Sequence, residues 1–195
     1  ILGDTVSIEV TPKNFGRIAA QKAKQVVVQK IREEERKVLF DQYYTKERDI
    51  VTGIVQRYNN GNYNINLGKI DAVLTPQEQV ESEQFAPRER IKLYVTEVKD
   101  TTRGPRIIIS RTHPELVKRL FESEVAEIQS GVVEIRNVSR EAGSRSKIAV
   151  YSNNPDVDAV GACVGMNGAR VNAVVEELRG EKIDIVEWNE DPAVF

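Results

Sequence analysis

The residues whose types and spacing best suit ligand binding lie around a Gly-x-x-Gly pair late in the chain. Gly165 and Gly168 stand three positions apart, a spacing that permits a tight turn and a close approach of the backbone to a ligand. A predicted helix begins at Ala169, and its unbonded N–H groups and positive dipole end would point into that turn, which suits a phosphate. The candidate binding residues of this loop are Gly165, Met166, Asn167, Gly168, Ala169 and Arg170.

A second group of candidates flanks a predicted hairpin near the middle of the chain. Asn59-Asn60-Gly61 separates two runs of alternating polar and apolar residues, which is a strong hairpin signal. Tyrosines at such a position can stack on nucleic-acid bases, and neighbouring cations can contact phosphates. The candidates are Tyr58 and Tyr63 for stacking, and Arg57, Lys69 and Arg103 for phosphate contacts.

Other chemistries are disfavoured by the composition. One histidine and one cysteine exclude a zinc site built from His and Cys ligands. The phosphate-binding motif of nucleotide hydrolases, Gly-x-x-x-x-Gly-Lys-[Ser/Thr], is missing from the sequence. Cys163 is predicted to be a small buried hydrophobe, and His113 a residue at the entry of a helix. We therefore expect no enzyme activity, no cofactor and no bound metal.

Length and hydropathy place the chain among globular proteins. Its 195 residues, 30% of them charged, allow one to two ordinary domains. No run reaches the roughly 18 apolar residues of a membrane helix, and a single cysteine favours a reducing compartment, so we expect a cytoplasmic location. The chain begins with Ile1 rather than Met, and we expect it to be a piece of a longer protein.

The charge is unevenly distributed. The net charge of -2 combines +2 in residues 1–45, +2 in residues 46–112 and -6 in residues 113–195. Nucleic-acid-binding proteins usually carry a basic overall balance. Binding of nucleic acid by this chain would therefore depend on local geometry rather than on bulk charge.

The three segments also differ in pattern, which predicts an α+β multidomain fold. In residues 1–45, alternation over 4–10 predicts a strand, Thr11-Pro12 predicts a helix start, and helical spacing of apolar residues runs from Asn14 to about Tyr43. We interpret this segment as the end of an N-terminal domain and a long connecting helix. Residues 46–112 hold five short apolar or β-branched runs, which favour a five-stranded β-barrel of the oligonucleotide-binding (OB) type. The runs are 49–58, 63–67, 69–74, 91–98 and 106–110.

Residues 113–195 predict the order α-β-β-α-α-β. Thr112 is the predicted cap and Pro114 the first residue of the first helix, strands are predicted over 132–135 and 146–151, and a short helix from Pro155 to about Cys163 precedes the glycine loop. A Gly-x-x-Gly loop between two short helices is typical of KH domains, where it clamps the backbone of about four nucleotides. With the preceding helix and strand, the order resembles the type II KH domain of bacterial proteins. Residues 46–112 likewise resemble the S1 domain, an RNA-binding OB barrel, through 52–55, 68–74 and 107–111.

The order of these parts resembles the NusA family of bacterial transcription elongation factors. The resemblance implies an end of the polymerase-binding domain in residues 1–45, an S1 domain in 46–112 and the first KH domain in 113–195. Arg145, Lys147 and Lys182, which lie within these segments, are further RNA-binding candidates. The matching stretches are 10–21, 109–114, 138–148, 160–165, 180–186 and 191–192.

The expected function is therefore non-catalytic binding of nascent single-stranded RNA near RNA polymerase, which modulates pausing, termination and antitermination. RNA polymerase is the implied protein partner, through the N-terminal domain, and other transcription factors are possible partners. Two alternatives stay open. One is an accessory RNA-binding region of an exoribonuclease, although that family carries KH before S1, and the other is a protein-interaction module, which fits the acidic balance of residues 113–195.

Overall fold

The computed structural model describes Gly3 and residues 13–195 of the chain. The predicted strand over 4–10 and the predicted helix start at Thr11-Pro12 lie outside the described residues. The helices are α1 (Lys13–Tyr44), α2 (Pro114–Glu124), α3 (Ala126–Gln129), α4 (Ala159–Val164) and α5 (Ala169–Glu177). The strands are β1 (Ile50–Asn59), β2 (Asn62–Asn66), β3 (Asp71–Leu74), β4 (Arg90–Thr101), β5 (Gly104–Ser110), β6 (Val133–Glu141), β7 (Arg145–Ser152) and β8 (Lys182–Glu187).

Helix α1 confirms the predicted connecting helix and packs mainly through its last turns. Leu39 and Phe40 contact the core of the barrel, and Tyr43 is buried in it. The Tyr43 hydroxyl donates to the Leu67 carbonyl at 2.9 Å and accepts from the Lys69 N–H at 3.1 Å. These two hydrogen bonds fix the end of the helix to the turn between β2 and β3.

Strands β1 to β5 form the predicted OB-like barrel. They pair antiparallel in the order β3-β2-β1-β4-β5, and the outer strands β3 and β5 lie close enough to nearly close the barrel. Alternate side chains fill the interior, among them Ile65, Leu74 and Leu93, all fully buried, as the two-residue period of a strand requires. The predicted third strand begins later than expected, at Asp71, because Leu67 N–H donates to the Ile70 carbonyl and closes a turn there.

The remaining residues form a three-stranded sheet covered on one face by helices. Strand β7 lies in the middle, antiparallel to β6 and parallel to β8. Ile148 and Val150 of β7 pack against Cys163 and Leu178 from the helical layer. The order α-β-β-α-α-β is confirmed, with the short α3 added after α2, and the α+β fold class is confirmed with it.

Three predicted boundaries in this region are wrong. The cap of α2 is His113 rather than Thr112, because His113 Nδ1 accepts from the Glu115 N–H at 3.1 Å. Helix α4 begins at Ala159 rather than Pro155, since the Val157 N–H donates to the Asn154 carbonyl and forms a turn. Strand β6 continues through Arg140 to Glu141, so the β6–β7 turn is shorter than predicted.

A buried carboxylate holds the β6–β7 turn. The Glu181 side chain is fully buried and pairs with Arg140 at 3.1 Å. It also accepts from the Gly143 N–H at 2.7 Å and from the Ser146 hydroxyl at 2.8 Å. Arg140 donates in turn to the His113 carbonyl at 2.9 Å. Residues of two of the matching stretches, 138–148 and 180–186, thus serve to fix the turn and the start of α2.

Candidate nucleic-acid interface

The Gly-x-x-Gly loop is an exposed left-handed turn between α4 and α5. Gly165, Asn167 and Gly168 have φ angles of 77°, 54° and 74°, a region that glycine adopts without strain and asparagine tolerates better than most residues. Met166 is 85% exposed. No side chain caps α5, and no acidic residue lies in its first turn. The loop therefore presents backbone and the positive end of a nine-residue helix to solvent.

Position 165 requires a glycine both because of its φ angle and because Arg170 lies close to it. A Cβ atom at this position would lie 2.8 Å from Arg170 Cγ and 3.0 Å from the Arg170 backbone nitrogen. A Cβ at Gly168 would have its nearest contact with the Asn172 amide nitrogen, at 3.3 Å, and would meet no other atom closer than 3.8 Å. The first glycine thus allows the loop to fold back on α5, whereas the second lies where a ligand can approach.

Arg170 is engaged inside the protein. Its guanidinium pairs with the Glu127 carboxylate at 2.6 Å and donates to the Ala162 carbonyl at 2.7 Å. Both members of the pair remain about one-third exposed, with side-chain exposures of 32% and 35%. The predicted phosphate contact at Arg170 would therefore have to compete with Glu127.

The thiol near the loop has no catalytic character. The Cys163 side chain is buried in the core, and this burial raises the pKa of its thiol to about 11. A protonated, enclosed thiol is an apolar packing group, which agrees with the interpretation of Cys163 from the sequence.

Arg145, Lys147 and Lys182 lie on the open face of the sheet, away from the loop. All three are exposed, and the β7–β8 register pairs Arg145 with Lys182 and Lys147 with Asp184. Since Ile148 and Val150 point into the helical layer, the alternation of the strand turns Arg145 and Lys147 to the opposite face. Arg145 pairs with Asp184, and this hydrogen bond holds the pKa of that carboxyl below its usual range. The structure thus separates these cations from the Gly-x-x-Gly loop.

The two candidate tyrosines of the barrel have different environments. Tyr58 is 61% exposed, whereas Tyr63 is only 7% exposed and belongs to the barrel core. Their ring centroids lie 4.8 Å apart, and the Tyr63 hydroxyl accepts from the Phe85 N–H at 3.3 Å. The stacking role predicted for Tyr63 is therefore corrected: its ring supports Tyr58 from the core, and Tyr58 alone presents a face to solvent.

The predicted cations of the barrel divide between its two ends. Arg57 is exposed beside Tyr58. Lys69 lies in the turn at the far end of β2, where its Nζ is 3.4 Å from Gln42 Oε1 of α1. Arg103 lies in the β4–β5 turn, next to Thr102, whose carbonyl accepts from Arg36 of α1. Lys69 and Arg103 thus border α1 and do not join Tyr58 in one site.

The structure adds two cations that were missed from the sequence. Arg88 and Arg90 are exposed, and Arg88 N–H donates to the Val55 carbonyl of β1 at 2.6 Å. Arg90 lies opposite Ile54, so both are carried toward the same end of the barrel as Arg57. The sequence signal for these two cations was the basic pattern of Pro87-Arg88-Glu89-Arg90, which lies between the predicted strand runs 69–74 and 91–98. We name Arg57, Tyr58, Arg88 and Arg90 the hairpin surface.

Comparison with known proteins agrees with the arrangement of these parts. Residues 111–188 match the family described as NusA-like first KH domain, and residues 1–37 match the NusA N-terminal domain. No helix among the described residues is long and apolar enough to cross a membrane.

Curated relatives align along the whole chain and carry the name transcription termination/antitermination protein NusA. The Bacillus subtilis protein is 58% identical over 195 residues, which cover 100% of this chain and 53% of the relative. The Halalkalibacterium halodurans protein is 57% identical over 192 residues, covering 98% and 50%. The Thermus thermophilus protein is 41% identical over 195 residues, covering 100% and 50%. The chain spans about half the length of these relatives, and since its matches to two NusA domains agree with them, it belongs to the NusA family.

Proposed function

We propose that the chain binds nascent single-stranded RNA, without catalysis, as part of a cytoplasmic transcription factor that acts on pausing, termination and antitermination. The observation that carries the proposal is the loop from Gly165 to Gly168. Met166 and Asn167 at its tip are exposed, its glycines have positive φ angles, and it opens onto a helix N-terminus that has no side-chain cap and no acidic residue in its first turn. A KH loop with these properties binds the sugar-phosphate backbone.

The loop predicts a modest affinity. Met166 and Asn167 carry no charge, and Arg170 is paired with Glu127, so the contacts at the loop would come mainly from backbone N–H groups and the helix dipole. Few phosphate charges would be neutralised there, and the dependence of binding on salt would be shallow at this site alone.

The hairpin surface supplies the side-chain chemistry that the loop lacks. An exposed tyrosine ring offers a stacking face for a base, and three arginines offer phosphate contacts. Within the part of the chain that the structure describes, Arg57, Arg88 and Arg90 form no ion pair with a carboxylate. The short connection from Ser110 to Pro114 supports one extended RNA-binding surface rather than two independently moving sites.

The N-terminal segment supports RNA polymerase as the protein partner. Its match to the NusA N-terminal domain covers residues 1–37, and its helix exposes Val27, Ile31 and Val38 by 57%, 52% and 61%. Exposed apolar residues in a row along a helix favour a protein contact. This observation also supports the alternative of a protein-interaction module, whereas nothing in the described residues, Gly3 and 13–195, favours an exoribonuclease.

RNA titration separates RNA binding from the alternative. The 195-residue chain is titrated into a fluorescently labelled, unstructured RNA, and anisotropy is measured at two salt concentrations. An RNA-binding protein binds in the low-salt buffer and loses affinity as salt rises, because counterions compete for the phosphates. The absence of salt-dependent binding would leave protein interaction as the better description.

A further inference from the structure

One buried arginine at the junction contacts both the barrel and the KH-like region. Arg111 follows β5, and its side chain has no exposed surface. On the barrel side it donates to the Lys92 carbonyl at 2.8 Å and to the Glu83 carboxylate. On the other side it donates to the Glu177 carbonyl at 2.9 Å and to Glu177 Oε1 at 3.0 Å. A single guanidinium thus joins the two RNA-binding candidates.

Neighbouring contacts close the same junction. The Glu177 carboxylate also accepts from the Lys92 N–H at 2.7 Å. A Cβ atom at Gly143, in the β6–β7 turn, would lie 2.5 Å from Val80 Cγ1 in the connection between β3 and β4, so the Gly143 backbone packs closely against the Val80 side chain. Because a buried guanidinium keeps its charge and needs correctly placed acceptors, the Arg111 contacts require one relative placement of Lys92 and Glu177.

Helix α5 connects the Arg111 contacts at Glu177 to the RNA-binding loop. It begins at Ala169, directly after Gly168, and ends at Glu177, which Arg111 binds. Nine helical residues span about 14 Å, and a helix this short does not bend without a break. Just beyond it, Arg179 pairs with Glu89, which lies between Arg88 and Arg90 of the hairpin surface. One end of α5 therefore faces the KH loop, and the other faces the barrel.

We propose that Arg111 is a positioning residue for RNA: by holding Glu177 against Lys92, it fixes the distance between the KH loop and the hairpin surface. An RNA long enough to reach both surfaces then gains affinity from the second contact, whereas an RNA that reaches one gains nothing. This proposal rests on the RNA-binding function proposed above.

The test compares two RNA lengths on the 195-residue chain. Fluorescence anisotropy is measured with an unstructured RNA of about four nucleotides, the length that a KH loop clamps, and with one of about sixteen. Arg111→Lys keeps the charge but loses the planar fork that binds several acceptors. Glu177→Gln keeps the shape but removes one charge. Arg119→Lys is the matched control, because the ion pair of Arg119, with Glu122 at 2.8 Å, lies within α2.

We expect both junction variants to bind the short RNA within about twofold of wild type and the long RNA about tenfold more weakly. The control should bind both RNAs as wild type does. A distance distribution between spin labels at Asn60→Cys and Asn167→Cys, measured without RNA, should be narrow with Arg111 and broader in the Arg111→Lys protein. If thermal melting shows that the Arg111→Lys protein is not folded, the affinities of the Glu177→Gln protein for the two RNAs decide the test.

The proposal is overturned if the variants keep wild-type affinity for the long RNA, or if affinity falls equally for both lengths, which a merely structural role would produce. It is also overturned if wild type binds the short RNA in a salt-dependent way but gains nothing from the longer one, and in that case the proposed RNA-binding function survives. Only a wild-type protein that binds neither RNA contradicts the function itself.

Discussion

The KH loop offers mainly backbone groups to a ligand, whereas the hairpin surface offers side chains. The loop offers backbone at left-handed φ angles and no formal charge between its glycines. The hairpin surface offers one exposed ring, backed by a buried one, and three arginine side chains. A backbone site depends on which residues can adopt its conformation, whereas a side-chain site depends on the chemistry of the exposed groups. The two should therefore respond to different substitutions.

The largest effect should come from breaking the backbone site. In Gly168→Asp, a Cβ and a negative charge are placed where a phosphate would approach, and the φ angle of 74° disfavours the new side chain. Loss of the close approach and repulsion should together cost on the order of 1–3 kcal/mol, a factor of about 5–150 in affinity for a short RNA. Fluorescence anisotropy measures the affinity, and thermal melting measures the stability of the variant.

Gly168→Asn is the matched control, since asparagine has nearly the same shape as aspartate, tolerates a positive φ angle and carries no charge. We expect it to lose less affinity than Gly168→Asp. If Gly168→Asp melts and binds like wild type, the loop is an ordinary turn and the backbone site does not exist.

A smaller effect should come from removing the exposed ring of the hairpin surface. Base stacking on an aromatic side chain contributes about 1–3 kcal/mol. One side of Tyr58 is occupied by Tyr63, whose ring centroid is 4.8 Å away, so we expect the lower value, about 1 kcal/mol or fivefold in affinity. Tyr58→Ala should show this loss with an RNA of about sixteen nucleotides, and Tyr58→Phe should not. Equal affinities of the two variants would exclude stacking at this position.

Adding a cation to the loop would give the backbone site a side-chain contact with phosphate, of the kind that the hairpin surface offers. Asn167→Lys places an ammonium group on the exposed tip of the turn, and we expect affinity to rise about threefold and the salt dependence to steepen by about one unit. The gain is limited because lysine is less tolerant than asparagine of the φ angle of 54°. Asn167→Gln carries a similar backbone strain without the charge and serves as the control. An unchanged salt dependence would mean that no phosphate lies near residue 167.

The sequence predicted the helices and strands better than it predicted which side chains come together in the folded protein. Alternation and helical spacing depend on local contacts, and they placed α1, the five barrel strands and the loop between α4 and α5 close to their observed positions. Tyr58 and Tyr63 look alike in the sequence and lie directly opposite each other on β1 and β2, yet Tyr58 is exposed whereas Tyr63 is buried against Phe85 in the core. Which of the two tyrosines is buried depends on how the barrel closes, and a local sequence pattern does not predict that closure.

Long-range ion pairs account for most of what could not be predicted in the site. Arg111 finds Glu83 and Glu177, and Arg140 finds Glu181, across large separations along the chain. Such partners become evident only after the chain has folded. In contrast, His113 was correctly predicted at a helix entry, since its cap involves Glu115, two residues away.

The smallest effect should come from the ion pair between Glu127 and Arg170. Removing the carboxylate in Glu127→Gln leaves Arg170 available to a phosphate, and we expect RNA affinity to rise about twofold. An ion pair this exposed contributes little to stability, about 0.5 kcal/mol or less after solvent screening. Glu122→Gln is the matched control, because Glu122 pairs with Arg119 at similar exposure but away from the loop. In an Arg170→Gln background, Glu127→Gln should no longer raise the affinity, and a rise that persists there would assign the effect to net charge alone.

The pH dependence of stability provides a second measurement on the same pair. A backbone hydrogen bond, and then the hydrogen bond from Arg170, hold the pKa of Glu127 below its usual range. A carboxyl whose pKa is lower in the folded state stabilises the fold above its unfolded pKa, and this contribution is lost as the pH falls through the folded value. Thermal melting should therefore show wild type slightly more stable than Glu127→Gln at neutral pH, with the difference disappearing in acid. A difference that grows as the pH falls would contradict a lowered pKa of Glu127 in the folded protein.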